Sequence, residues 1–187
     1  GHLQRGVDHQ GEAVRQHQAV TGGQTVEAAD QCVAGPGAHL GDHGVQHGLD
    51  GAAQWPLDQN NAQNLMYNAR KRECYGKYAK LADHKVEEVW IKVRNQRIPA
   101  WFHLPPGYRG GRIPAVIAVP GMDNFKELLV TEPSDKFLER GIAVLAFDGP
   151  GQGEAEYDMP IRGDYEVAVK AVVDYVLTRK ELDGARI

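Results

Sequence analysis

Two unbroken apolar runs do most to restrict the fold. Ile113–Val119 (IPAVIAV) and Ile142–Phe147 (IAVLAF) show no polar alternation, and each delivers into a glycine-bearing turn. A strand with one wet face alternates polar and apolar residues. A strand covered on both faces does not, and that is the pattern of the interior of a parallel sheet. Parallel neighbours need a crossover of a dozen residues or more, and residues 120–141 leave room for one. The class is therefore α/β, with helices on the faces of the sheet.

The flanking segments fit that frame. Met66–Leu81 predicts a basic helix packing through Leu65, Tyr75, Tyr78 and Leu81. Lys85–Val93 and Arg97–Leu104 read as strands, and the Arg94-Asn95-Gln96 link makes them a hairpin. A loop, PGMDNFKE, leaves the first apolar run. The helix after it ends at Gly141, with Phe137 and Leu138 facing inward. Asp164 is placed to cap a long helix that packs through Tyr165, Ala168, Val169, Val172, Val173, Val176 and Leu177 and ends at Asp183-Gly184. Arg186-Ile187 reads as the start of a further strand. The order is an antiparallel start followed by parallel strands with right-handed crossover helices.

Composition excludes several classes. The chain has 187 residues, 21 Lys+Arg against 25 Asp+Glu and a net charge of -4, so it lacks the basic stripe of a nucleic-acid binder. No apolar run approaches a membrane span, and no charged-then-apolar leader opens the chain. Two distant cysteines, Cys32 and Cys74, form neither a disulfide framework nor a zinc motif. A reducing, cytoplasmic setting is expected, with neither nucleic-acid nor membrane partners, no cofactor and no metal.

Residues 1–65 differ from the rest. They hold seven acids, two bases and six of the eight histidines, with Trp55 as the only aromatic and no Lys, Ile, Phe, Tyr, Ser or Met. Such a segment buries too little apolar area to offset its ordering entropy. The missing types largely share A/T-rich codons, and the first methionine is Met66. The segment reads as a low-complexity tail, either natural and disordered or GC-rich DNA translated from the wrong start or frame. His39, His43 and His47 stand four apart, a helical spacing for metal ligands, but Gly41, Gly44 and Gly48 interleave them. Each glycine costs a helix about 1 kcal/mol relative to alanine, so these are solvated histidines. The domain proper is residues 66–187.

Three strings carry a family resemblance. VPGMDNFKE after a buried strand, GIAVLAFDGPGQGE and GDYEVAVKAVVDYV together resemble the α/β-hydrolase fold, in particular its pseudooxynicotine-hydrolase and esterase-like fermentation-respiration switch branches. The resemblance covers roughly residues 78–187 and implies the first half of that sheet, with strand order 1-2-4-3-5. It also implies a small-molecule substrate and serine-type attack on an ester, amide or C–C bond. In that chemistry a nucleophile on a G-x-S-x-G elbow is followed later in the chain by an acid and a histidine. By the same resemblance, the backbone N–H of Met122, next to Gly121, is one oxyanion-hole donor. Asp123, Glu154, Arg162 and Asp164 are candidates to line the substrate cleft.

The nucleophile, acid and histidine of the triad are not among these strings. The only serine, Ser134, lies in EPSD without flanking glycines, and neither cysteine sits in an elbow. His84 and His103 read as structural. The elbow is expected just beyond Ile187, making the chain a fragment that is inactive alone; the alternative is a non-catalytic binding module or a gene-model product without function. Gly149-Pro150-Gly151-Gln152-Gly153 resembles a dinucleotide fingerprint only in part, because the full G-x-G-x-x-G is missing and the next helix starts about ten residues later. It reads instead as a shaped turn at the rim of the active site.

Overall fold

The structure, a computed structural model, describes residues 61–121, 124–131 and 135–187. The expectations for the tail, for His39, His43 and His47 and for Ser134 fall outside the described residues.

Helix α1 (Ala62–Leu81) begins four residues before the predicted start, because the Asn61 side chain caps it by accepting from Asn64 N–H at 2.9 Å. It buries Tyr67, Cys74, Tyr75 and Tyr78 together with the polar Asn64, Asn68 and Lys71. Leu65 and Leu81, expected in the core, are 47% and 53% exposed. At 3.6 residues per turn both lie roughly a quarter to a third of a turn off the buried stripe. The helix packs a partly polar face because it covers buried charges, described below.

Strands β1 (Val86–Val93) and β2 (Gln96–His103) form the hairpin through a two-residue turn, with Val93 opposite Gln96 and Arg94 at φ 53°. In β1 Val89, Ile91 and Val93 alternate with exposed residues, as an edge strand should. From Ile98 to His103, β2 is buried on both faces. Strand β4 (Ala143–Phe147) pairs antiparallel with β2 and parallel with β3 (Ala115–Ala118). The sheet order is β1-β2-β4-β3, as the resemblance implied.

The predicted single helix between β3 and β4 is two short ones, α2 (Lys126–Thr131) and α3 (Asp135–Leu138). Gly141, at φ 74°, closes the second by donating to Leu138 O at 3.0 Å. A 3-10 helix (Gly153–Tyr157) and helix α4 (Tyr165–Thr178) follow β4. One face of the sheet packs Ile98, Ala100, Phe102, Leu145 and Phe147 against Ala168, Val172 and Val176 of α4. The other packs Trp101, Val144 and Ala146 against Tyr75 and Tyr78 of α1 and Leu138 of α3.

Helix α4 stops at Thr178, five residues before the predicted end. Arg179 turns extended, its guanidinium bonds Glu87 at 2.8 Å, and it stacks 4.3 Å over the Phe102 ring. Leu177, expected inside, is 55% exposed. The residues so released run beside β3: Ile113 N–H donates to Glu181 O, Asp183 N–H to Ile113 O and Ala115 N–H to Arg186 O. The outer side of β3 is thus met by the segment containing Arg186. Among the described residues no helix is long and apolar enough to cross a membrane.

Candidate active site

Because β3 and β4 are parallel, the loops that leave them emerge at the same end of the sheet, where crevices form in α/β folds. The first loop is Val119-Pro120-Gly121, and Gly121 is exposed. Met122 and Asp123 lie outside the described residues. The second is the Asp148–Glu154 turn.

Close packing explains the glycines of that turn. Gly151 stands at φ 74°, and a Cβ there would lie 2.6 Å from Ile161 Cβ and 2.8 Å from its Cα. Gly153, at φ 44°, lies against the Asp148 carboxylate, and Gly149 lies under the Tyr165 ring. Side chains therefore fill the space that phosphates occupy in a dinucleotide loop, and the turn is a structural device.

Asp148 is fully buried at the end of β4. Its Oδ1 accepts from Lys126 N–H at 2.7 Å, and its Oδ2 accepts from Glu154 N–H at 2.9 Å. Lys126, 1% exposed, sends Nζ to three carboxylates: Glu127 at 2.8 Å, Glu154 at 2.9 Å and Asp148 at 3.1 Å. Glu154 also binds Arg72 at 2.9 Å, and Trp101 Nε1–H donates to Glu127 at 3.2 Å. Buried Lys71 lies 4.5 Å from the centre of the Phe125 ring. Three cations (Lys71, Arg72, Lys126) thus face three carboxylates (Glu127, Asp148, Glu154), the balance that buried charges require.

The titration of these groups follows from that balance. Burial pushes the Lys126 ammonium down, but Asp148, Glu127 and Glu154 outweigh it and raise the pKa. Burial pushes Glu127 up, yet Lys126 and Lys71 bring it down to about 2. For Asp148 burial prevails over Lys126, and its pKa is raised. Sequence reasoning did not single out Lys126, Glu127 or Asp148. For Asp148 the available signal was its place directly after the buried run that ends at Phe147; nothing local marked Lys126 or Glu127.

Gln152 links the two loops. Its Nε2 donates to Pro120 O at 2.6 Å and more loosely to Gly121 O at 3.4 Å. Its Oε1 accepts from Gly149 N–H at 3.0 Å and from Tyr165 O–H at 2.5 Å.

The remaining sequence candidates separate. Glu154, 8% exposed, belongs to the buried charge cluster and also borders a cavity of about 540 Å³ with Arg72, Trp90, Arg97 and Asn68. Arg162 and Asp164 form a partly exposed bidentate pair, with Nη2 to Oδ2 at 2.6 Å, and Arg94 lies 3.6 Å from Asp164. Asp164 holds the N-cap position of α4, but its side chain makes no capping hydrogen bond, because Arg162 engages both oxygens. His103 is buried and His84 half-buried: His103 Nε2 meets Tyr75 O–H at 3.1 Å, and His103 Nδ1 meets His84 Nε2 at 3.0 Å.

Known proteins share this fold. The solved 2,6-dihydroxy-pseudo-oxynicotine hydrolase superposes with a TM-score of 0.62 at 30% identity, over 86% of this chain and 45% of that one. The chain shares the fold of the α/β-hydrolase family. Within it, the 2,6-dihydropseudooxynicotine hydrolase of Paenarthrobacter nicotinovorans is 40% identical over 113 residues, 60% of this chain and 30% of that protein. The α/β-hydrolase xenA of Xenoacremonium sinensis is 30% identical over 147 residues, 73% and 35% respectively. AbyA5, at 17% identity and a TM-score of 0.60, shares the fold. No family model matches the chain. The chain spans about a third of the length of these curated relatives.

Proposed function

We propose that this chain is the oxyanion-side half of a serine-type hydrolase acting on an ester, amide or C–C bond of a small molecule. The observation that carries the reading is the pairing of the two loops at the ends of β3 and β4. They stand in the β1-β2-β4-β3 order of a hydrolase sheet and are tied together by Gln152. In this reading the residue after Gly121, Met122, offers its N–H to the oxyanion. Such a donor acts because it is aimed at charge that develops only in the transition state, where one is worth about 3 kcal/mol. In the same reading Arg162 and Asp164 line the substrate cleft, Glu154 braces it from the charge cluster, and Asp123 is a further candidate to contact the substrate. The nucleophile, acid and histidine come from sequence that follows Ile187.

The test is to read the coding DNA past Ile187 and assay the product. The reading expects G-x-S-x-G within about ten residues, the strand-to-elbow distance of this fold. It also expects turnover of aryl esters or of an activated C–C substrate, abolished when that serine becomes alanine. A stop codon at that point overturns it.

A further inference from the structure

We infer that Gln152 is a positioning residue, which fixes the loop leaving β3 to the turn leaving β4 and thereby aims the oxyanion donor. This rests on the reading of that loop as the oxyanion loop.

The amide is held in one orientation by the polarity of its partners. A backbone carbonyl only accepts and a backbone N–H only donates. Nε2 must therefore face Pro120 O and Gly121 O, and Oε1 must face Gly149 N–H. Tyr165 O–H is the second donor to Oε1, and it keeps its proton because burial, then the Asp148 charge, pushes it up to about 12. No hydrocarbon or carboxylate of similar size satisfies both ends at neutral pH.

The far end of the same loop is gripped from the same turn, by Asp148 Oδ1 on Lys126 N–H. Between the two grips, Asn124 N–H donates to Gly121 O at 3.2 Å, and Phe125 N–H donates to the Asn124 side chain at 2.8 Å. Both described ends of the loop, at Pro120-Gly121 and at Lys126, are thus tied to two side chains of a turn that is itself locked by close-packed glycines. Oxyanion donors need such support, since a misplacement of about 1 Å costs up to about a hundredfold in rate.

The test uses the full-length product of the reading frame and two variants. In Gln152→Leu, hydrogen exchange of the peptide spanning residues 119–126 rises tenfold or more while that of β4 is unchanged, and kcat falls about ten- to a hundredfold with KM within twofold. In Gln152→Glu, the carboxylate keeps the acceptor end and loses the donor to Pro120 O. Its kcat is low at neutral pH and recovers toward wild type as the pH falls and the acid regains an O–H, a rescue that a purely structural role does not produce. Unchanged loop exchange, unchanged kcat or a change confined to KM overturns the proposal. If the wild-type product hydrolyses nothing, the hydrolase reading fails and the aiming role falls with it, while the exchange result still decides whether Gln152 holds the loop.

Discussion

Single residues show how little freedom the candidate site has. Gly151 combines a left-handed backbone with contact to the Ile161 backbone. Gly151→Ala is expected to lower stability by about 2–4 kcal/mol, joining the αL penalty to overpacking; a urea midpoint within error of wild type would contradict it. His103 gives a pH signature. Burial and the neighbouring His84 lower its pKa from 6.5 to about 3, so the folded chain holds it neutral. Below pH 6.5 the unfolded chain takes up a proton that the folded chain refuses. Stability is therefore lost as pH falls from 6.5 toward 3, by at most about 1.4 kcal/mol per pH unit. His103→Gln should flatten the urea midpoint between pH 6.5 and 5, and an unchanged slope would assign the effect to other groups. The fully buried Lys126 was invisible in the sequence, because a lysine after a loop reads as solvated until three carboxylates are brought to it from α2, β4 and the 3-10 helix.

At the level of elements, helix α1 is the clearest case of packing overriding pattern. Its existence was legible, but the choice of buried face was not, because the helix covers Lys126 and Glu127 as well as Trp101. Tyr75, fully buried, contacts Trp101 at 4.7 Å between ring centres and bonds His103. Tyr75→Ala should cost about 3–5 kcal/mol, as large aromatic truncations in cores do. Leu81→Lys, at an exposed position, should stay within about 0.5 kcal/mol of wild type. Thermal or urea melts of the two variants check the assignment, and a large loss for Leu81→Lys would restore the face first expected. Helix α4 teaches the same lesson at its end: Arg179 leaves the helix for Glu87 and Phe102, partners 92 and 77 residues away in sequence, which a local pattern does not report.

For the whole molecule, the decisive feature is the outer edge of β3. The segment from Glu181 to Arg186 pairs with Ile113 and Ala115, and Val119, beyond the strand, is 45% exposed. An apolar strand edge invites pairing with another chain. Expressed as these 187 residues alone, the chain should self-associate or remain molten; sedimentation as a monomer with a cooperative melt would show that the edge is sufficiently covered. The sequence by itself determined the class through local physics: unbroken apolar runs mark doubly covered strands, and turn residues punctuate them; the strand order was implied only by the resemblance. The resemblance to the α/β-hydrolases was carried by strings within single loops and strands. Which polar side chains are buried, how the two loops at the end of the sheet are joined and where the helices stop were decided only by tertiary structure. Each of those outcomes depends on charges and amides meeting across tens of residues of chain, and their energies exist only once the sheet has brought them together.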